Sequence, residues 1–362
     1  MNQTGGIPQF TRVEYSAALQ QLKLGKSAGK DNISNEMIIN LNKTKRGRLL
    51  KLLNVALRDR MVPTSWKLGV LHPLHKPGNR PNKIESYRPI SLLSCIGKLA
   101  DRIITNRLVF YVESSSSLSS SQADFRKHRG TDDVGMAMVS DIHRARKNTA
   151  GATDLIVIPI DFEKASDKMQ HSKFIKICRT KGIPAYLVAW YWAYLRERIY
   201  CVRVGESYST TSCFALGVPQ GSVYGPILFD LYTSVLSDEL SRHAEFGVRH
   251  GGFADDFTLW MEFLNHENYT AEQKREQLQP LQDALDTVTR WSQEYGIPLS
   301  STKAGEAVLF QWVPSHCGVI RNEKVDQNAK NWMRDTPQHH HKQVPSSFEP
   351  ITSYYKEKLR AN

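Results

Sequence analysis

Apolar residues recur at helical spacing in three segments of the chain. These segments are residues 10–26, 35–61 and 91–113, and the polar face of the second is strongly basic. A serine-rich low-complexity stretch, SSSSLSSSQ at 114–122, follows the third segment. The pattern therefore predicts helices in these segments, with a loop after the last.

Other parts of the pattern predict strands. The apolar run DLIVIPIDF, residues 154–162, is typical of a buried strand. Residues 200–216 and 251–260 each predict a hairpin, and a helix opens after the stretch GVPQGS between them. A long helix over roughly 270–295 and a short strand, EAVLF, follow the second hairpin. There is no internal repeat, and the predicted fold class is α+β.

The second hairpin, GGFADDFTLW, carries two adjacent acids at its tip. Asp255 and Asp256 are unusual there, because tight two-residue turns prefer Gly or Asn and because like charges repel unless a cation lies nearby. Asp161 ends the apolar run that predicts a buried strand. If the two strands are neighbours, three carboxylates converge, which suits Mg²⁺. Two such ions about 4 Å apart would clamp an in-line phosphoryl transfer. For the Asp-Asp pair alone, a solvated turn is the simpler interpretation.

The charge balance favours a polyanionic partner. The chain of 362 residues has 48 basic and 36 acidic residues, a net charge of +12, although its hydrophobic share of 40% is ordinary. Nucleic acid is the leading candidate, and solubility charge on a protein with a neutral ligand is the alternative. Five scattered cysteines without CxxC spacing support neither a disulfide framework nor a zinc site, and a reducing compartment is expected.

Neither a secretory signal nor a membrane span is predicted. The first ten residues have no apolar core, and the most apolar stretch, 185–195, is too short to cross a bilayer. We therefore expect a soluble, intracellular protein in the nucleus or cytoplasm, not a secreted one. The run QHHHKQ at 338–343 is interpreted as solvated tail rather than as a metal site.

A glycine loop and two basic clusters accompany the acids. The stretch GVPQGSVYGP, 217–226, lets backbone approach a flat ligand closely, and Gln220 can hydrogen-bond a base or sugar. One basic cluster lies at 125–130, and the other consists of Lys76, Arg80, Lys83 and Arg88. A single basic cluster is usually a solvated face. The three acids, the glycine loop and the two basic clusters occur in one chain. This combination favours nucleotidyl transfer.

Seven motifs over residues 10 to 310 together resemble those of a reverse transcriptase of the non-LTR (LINE-type) retrotransposons, closest to the I/ingi group. In chain order they are GKSAGKDNISNEMI, LHKPGNRPNKIESYRPISLLSCIGKLADRII, QADFRKHRGTDD, IPIDFEKASDK, ALGVPQGSVYGPILFDLYTS, FADDFTLW and STKAGEAVLF. The resemblance implies a right-hand polymerase with fingers and with a palm built of an antiparallel sheet and helices. It also implies an RNA-directed DNA polymerase that uses Mg²⁺ or Mn²⁺, an RNA template, a DNA primer and dNTPs, and no membrane.

The resemblance also implies roles for individual residues. The implied metal ligands and catalytic acids are Asp161, Asp255 and Asp256, and the implied proton donor to the leaving pyrophosphate is Lys303. The implied substrate contacts are Lys76, Arg88, Ser166, Gln220 and Gly221. The expected nucleic-acid contacts are Arg126, Lys127 and Arg129.

The stretch WVPSHCGVIRNEKVDQNAK, 312–330, resembles the end of an RNase H domain, with His316 and Asp326 at matching positions. Only one residue separates Phe310 from Trp312, so the thumb is expected to be largely missing and the sequence resembles an internally deleted copy. The expected boundaries are 1–35 for an N-terminal extension at the start of the fingers, 36–150 for the fingers, 151–310 for the palm, 311–330 for the RNase H remnant and 331–362 for a polar tail.

Several positions depart from the family pattern. Pro159 lies inside the predicted central strand, where a ladder hydrogen bond would be lost. Ser166 stands where the family has an aromatic residue, Ala123 and Asp124 replace Phe-Gly, and Tyr224 replaces a small or aliphatic residue. These changes suggest relaxed selection.

Three hypotheses remain open from the sequence. The first is a working RNA-directed DNA polymerase, with the activity of this copy undecided. The second is a catalytically degenerate relic that binds nucleic acid by charge. The third is another two-metal phosphoryl-transfer enzyme such as a nuclease, against which the glycine loop argues.

Overall fold

The computed structural model describes residues 6–124, 126, 129–148, 153–264, 269–300 and 308–310. Its α-helices, in chain order, are α1 Arg12–Gln20, α2 Asn35–Ile39, α3 Lys43–Arg58, α4 Thr64–Lys67, α5 Cys95–Ser114, α6 Thr131–Asn148, α7 Ala165–Lys168, α8 His171–Thr180, α9 Ala185–Leu195, α10 Gly225–Leu240 and α11 Ala271–Tyr295. Its strands are β1 Leu68–His75, β2 Tyr87–Leu92, β3 Thr153–Asp161, β4 Arg198–Val204, β5 Ser207–Tyr208, β6 Ser212–Phe214, β7 Val248–Phe253, β8 Asp256–Leu264 and β9 Val308–Phe310.

The helix starts follow from the sequence. The side chain of Thr11 caps α1 and that of Thr270 caps α11, each reciprocated by an acid or amide three residues later. Asn42 caps α3, so the predicted helical segment 35–61 forms two helices rather than one. Among the helices of the described ranges, none combines the length and the apolar character that a membrane span requires.

The first sheet has the order β2-β1-β4-β5, with β6 also paired to β4. Strands β1 and β2 form an antiparallel hairpin, whereas β1 and β4 are parallel, with Leu68 opposite Ile199. This sheet therefore joins residues 68–92, expected in the fingers, to residues 198–214, expected in the palm. The expected boundary at residue 150 does not separate two independent sheets.

The second sheet has the order β7-β8-β3-β9, and all its neighbours are antiparallel. It contains the predicted buried strand β3 and the predicted hairpin of β7 and β8. Pro159 is opposite Thr258 of β8, while the described pairing of β3 with β9 runs only from Leu155 to Val157. The proline lies past the described part of this contact and keeps its place in the pairing with β8.

Both faces of the second sheet are covered. On one face Val157 and Trp260 pack with Met138 of α6. On the other face Ile158 and Leu259 join the main core, to which α10 and α11 contribute buried side chains. This alternation follows the two-residue period of a strand, and burial on both faces explains the uninterrupted apolar run. The predicted α+β fold class, with an antiparallel sheet and helices, is confirmed.

Candidate active site

Three acids lie at one end of the second sheet. Strand β3 ends at Asp161, β8 begins at Asp256, and the register places these two residues opposite each other. Directly opposed residues of antiparallel strands have their Cβ atoms about 5 Å apart on the same face. Asp255 precedes Asp256 in the turn, where both side chains are exposed, whereas Asp161 is half-buried. We call these three residues the acidic end of the second sheet.

The turn that carries Asp255 is built from poor turn residues. It contains Ala254 and Asp255 between the paired residues Phe253 and Asp256, and Ala254 has φ of 55°, in the left-handed region. A left-handed alanine costs energy, and such strain persists where the surrounding structure holds it. Its position beside two acids fits a site held in place for function.

A neighbouring segment holds the hairpin in place. The Gly252 N–H donates to the Ser121 carbonyl at 2.9 Å, and the Ala123 N–H donates to the Gly252 carbonyl at 3.1 Å. The Ser121 hydroxyl also lies 2.7 Å from the His250 ring nitrogen, and burial lowers the pKa of His250 to about 4. The hairpin therefore rests on the residues that follow α5.

The backbone of Asp161 is fixed from a second direction. Its carbonyl accepts from the Ser300 N–H at 2.9 Å, and the residue that follows β3 forms an antiparallel bridge with residue 299. The Glu163 N–H donates to the Pro298 carbonyl at 2.8 Å. Asp161 is thus anchored by β8 on one side and by residues 298–300 on the other.

The donor chemistry of the acidic end fits Mg²⁺. Within the described ranges, no three His, Cys, Asp or Glu side chains are already grouped as a metal site. Mg²⁺ does not require such a group, because it is usually bound through one or two carboxylates and completes its shell with waters and substrate phosphates. Asp161 and Asp255 would supply those two carboxylates from an open edge. The arrangement can therefore bind a cation that a phosphate-bearing substrate shares.

The start of the glycine loop packs against α7 and the residue after it. The Gly217 N–H donates to the Met169 carbonyl at 2.8 Å, and the Val218 N–H donates to the Ser166 carbonyl at 3.1 Å. Gly217 has φ of 74°, and a Cβ there would lie 2.4 Å from the Asp167 carbonyl oxygen. Only glycine allows this approach, which brings the loop beside the segment that follows Asp161.

The same loop contacts the first sheet. The Ser91 N–H of β2 donates to the Gln220 carbonyl at 2.7 Å. Gly221 has φ of 98°, and a Cβ on it would lie 3.1 Å from the Ser91 carbonyl oxygen. Gln220 and Gly221 thus lie against β2 of the first sheet, in the same loop whose start is hydrogen-bonded to the half-buried Ser166.

The predicted phosphate-binding residues of the first sheet lie on and beside the β1–β2 hairpin. Residues 76–86 connect these strands, and the Lys76 N–H donates to the Ser86 carbonyl at 2.7 Å. Arg80, Lys83 and Arg88 are exposed, and Lys76 is half-buried. The structure therefore groups this basic cluster on a single hairpin.

Arg126 does not have the exposed position expected of a phosphate contact. Its guanidinium forms a two-pronged ion pair with Glu113 at 2.9 Å, and it donates to the Ser119 and Gln122 carbonyls. The residue is only 9% exposed. These contacts stabilise the loop after α5, so the expected nucleic-acid contact at Arg126 is corrected. Arg129, in contrast, is exposed. Lys127, Lys303, His316 and Asp326 lie outside the described residues.

Two buried acids were not found by sequence reasoning. Burial and, after it, the nearby Asp124 raise the pKa of Asp230 in α10 to about 8. Burial raises the pKa of Asp101 in α5 to about 7, against the lowering effect of Arg198. Both acids interrupt apolar stretches with helical spacing. This interruption is the sequence signal from which they could have been predicted.

Tyr224 fills a space that the family pattern leaves to a smaller residue. It is fully buried, its hydroxyl accepts from the Trp190 indole N–H at 2.7 Å, and its ring meets Tyr191 and Tyr194 edge-on. Its hydroxyl also hydrogen-bonds Asp101. The surrounding side chains therefore accommodate a tyrosine at this position.

Residues 74–330 match the family model described as "Reverse transcriptase (RNA-dependent DNA polymerase)". Two similar proteins are from Drosophila melanogaster. The "Probable RNA-directed DNA polymerase from transposon BS" is 31% identical, covering 80% of this chain and 31% of that protein. The "RNA-directed DNA polymerase from mobile element jockey" is 27% identical, covering 88% of this chain and 34% of that protein.

The chain spans about a third of the length of these relatives. Among solved structures, an apo telomerase from Candida tropicalis, truncated from its C-terminal domain, matches with a TM-score of 0.49 and 13% identity, covering 70% of this chain and 52% of that one.

Proposed function

Because the chain belongs to the reverse transcriptase (RNA-dependent DNA polymerase) family, we propose that it catalyses RNA-directed DNA synthesis for a non-LTR retrotransposon. The relatives named above come from mobile elements, which supports this choice of substrate and host element. The net charge of +12 suits a template and primer. The observation that carries the proposal is the register that sets Asp161 opposite Asp256, beside Asp255.

In the proposed reaction a primer 3′-hydroxyl attacks the α-phosphate of a dNTP and releases pyrophosphate. Asp161 and Asp255 would hold Mg²⁺ or Mn²⁺, which when bound neutralises charge on the reacting oxygens. Asp256 adds negative charge beside them. Two carboxylates at the end of two hydrogen-bonded strands are well suited to hold fixed positions during this transfer.

Other residues would position the substrates. Lys76 and Arg88 would bind the triphosphate, and Gln220 with Gly221 would contact the nucleotide and the template. We further propose that Lys303 protonates the leaving pyrophosphate. We also keep the I/ingi grouping and an RNase H remnant at 312–330 as proposals that rest on the motifs alone.

The binding-only alternative has less support. Departures from the family pattern favoured it, but Tyr224 is fully buried and hydrogen-bonded, and Pro159 keeps its place opposite Thr258 of β8. The β3–β8 register continues past the proline to Asp161 opposite Asp256.

Primer extension on an RNA template tests the proposal. The wild-type protein should extend a DNA primer with dNTPs in the presence of Mg²⁺ or Mn²⁺, and the double variant Asp255→Ala, Asp256→Ala should not. A folded wild-type protein that binds primer–template and extends nothing would overturn the proposal.

A further inference from the structure

Asp167 in α7 makes a specific contact with the glycine loop. The Gln220 side-chain nitrogen Nε2 lies 3.1 and 3.0 Å from the two carboxylate oxygens of Asp167. Asp167 follows Asp161 by six residues, and both side chains of the contact are half-buried. The Asp167 carboxylate thus contacts the amide end of Gln220, the side chain of this loop that is expected to contact the nucleotide.

The chemistry of the pair fixes which way the amide faces. An ionised carboxylate only accepts hydrogen bonds, whereas a glutamine amide has a donating NH₂ and an accepting oxygen. Asp167 therefore selects the orientation with Nε2 toward α7, and the acceptor Oε1 then faces away from it. An asparagine at the same position could pair with either end of the amide and would lose this selection.

The rest of the glutamine is fixed independently. Its backbone carbonyl accepts from the Ser91 N–H of β2 at 2.7 Å, and the loop before it is bonded to the Ser166 carbonyl. The backbone is therefore held without Asp167. What Asp167 adds is the orientation of the side-chain amide.

We propose that Asp167 is a positioning residue, which orients the Gln220 amide so that its oxygen accepts a hydrogen bond from the incoming nucleotide. The inference rests on the proposed function, since it concerns the same site. Asp167 itself does not touch the substrate. Its effect is on nucleotide binding, with the chemical step unchanged.

The test compares Asp167→Asn with a matched control, Glu163→Gln. Glu163 is an exposed acid four residues earlier, and it contacts Lys168 rather than the loop. Losing one neutral hydrogen bond lowers affinity about three- to tenfold. Asp167→Asn should therefore raise the dNTP KM by about that factor with kcat nearly unchanged, as expected for uniform binding. Glu163→Gln should leave both constants at the wild-type value.

A double-mutant cycle separates positioning from a structural role. In a Gln220→Ala background, Asp167→Asn should add no further rise in KM, because it acts through the amide that has been removed. An equal additional rise there would overturn the proposal, as would a wild-type KM for Asp167→Asn or a raised KM for Glu163→Gln.

Equilibrium binding of a fluorescent dATP analogue keeps this test apart from that of the proposed function. If the wild-type protein does not extend primers but Asp167→Asn weakens analogue binding, the proposed function fails and the positioning role stands. If the wild-type protein extends primers and Asp167→Asn binds the analogue normally, only the positioning role fails. Absence of both extension and binding in the wild-type protein overturns both.

Discussion

Two groups of acids occupy contrasting regions of this protein. Asp161, Asp255 and Asp256 lie at the open end of a sheet, at strand termini and in a turn. Asp101 and Asp230 lie inside helices, where burial raises their pKa values to about 7 and about 8. A carboxylate at an open edge remains hydrated and can bind a cation. A buried carboxyl group must instead be neutral or paired with an opposite charge. The contrast separates acids suited to chemistry from acids that belong to the fold.

The two regions are connected. The Gln122 amide donates to the Asp230 carbonyl and to the Thr233 hydroxyl of α10. The adjacent Ala123 N–H bonds to Gly252 in the hairpin that carries Asp255. The buried region therefore supports the strand from which the acidic end projects.

The largest effect is expected from an isosteric change at the acidic end. Asp161→Asn removes a carboxylate that would bind a cation in the transition state, which contributes several kcal/mol, so primer extension should fall at least about a thousandfold. The melting temperature should stay within about 2 °C, because the shape is kept. Primer extension by Asp161→Asn at a rate near that of the Glu163→Gln control would contradict the catalytic role of the acidic end.

A second effect concerns the buried region. Asp230 has a pKa of about 8 in the folded protein against 3.8 as the ordinary value, so the folded state binds its proton more tightly. Its contribution to stability is complete below the ordinary value and is lost as pH rises through about 8. From pH 6 to pH 8 the free energy of unfolding should therefore fall by about 2 kcal/mol on account of this group.

Denaturant unfolding at several pH values measures this loss. Asp230→Asn should show a smaller fall between pH 6 and pH 8 than the wild-type protein, whereas Asp286→Asn, the same change on an exposed face of α11, should follow the wild-type profile. Parallel profiles for wild type and Asp230→Asn would show that the buried acid is not linked to stability in this way.

A smaller effect is expected at Ser166, beside the glycine loop. The resemblance implies that an aromatic residue at this position excludes a 2′-hydroxyl, and we expect the smaller serine to leave room for one. The wild-type protein should accept ribonucleotides nearly as readily as deoxyribonucleotides, and Ser166→Phe should restore a preference for dNTPs of about tenfold. Single-nucleotide incorporation measures this, with Ser166→Ala as a control that should remain permissive. Equal sugar selectivity in all three proteins would exclude the role.

The smallest effect concerns charge on the β1–β2 hairpin. Arg80 and Lys83 are exposed there, whereas the charge of Arg126 is already paired with Glu113. Arg80→Ala and Lys83→Ala should each weaken primer–template binding a few-fold and reduce the slope of log K against log salt by about 1. Affinity titrations at several salt concentrations check this. An unchanged slope in both variants would place the phosphate contacts elsewhere.

The acidic end could be predicted from the sequence because its signals are local. A strand that ends in Asp161 and a hairpin that carries Asp255 and Asp256 are visible as apolar runs interrupted by acids. That these two strands pair was a conditional expectation, since pairing joins residues about a hundred positions apart in the chain.

The remaining features depend on tertiary packing and have no local signal. The parallel pairing of β1 with β4 joins a strand expected in the fingers to a strand expected in the palm. Neither strand carries a sequence signal that identifies the other as its partner. The inward turn of Arg126 depends on Glu113, and the orientation of Gln220 depends on Asp167, 53 positions away. Such contacts arise only when separate elements are brought together.

One paired measurement tests the central claim most directly. Asp255→Asn and Asp230→Asn make the same chemical change in the two contrasting regions, and both variants are assayed for primer extension on RNA and for thermal unfolding. The account predicts that Asp255→Asn loses extension and keeps its melting temperature, while Asp230→Asn keeps extension and changes the pH dependence of stability. Wild-type extension by Asp255→Asn, or loss of extension by a folded Asp230→Asn, would contradict it.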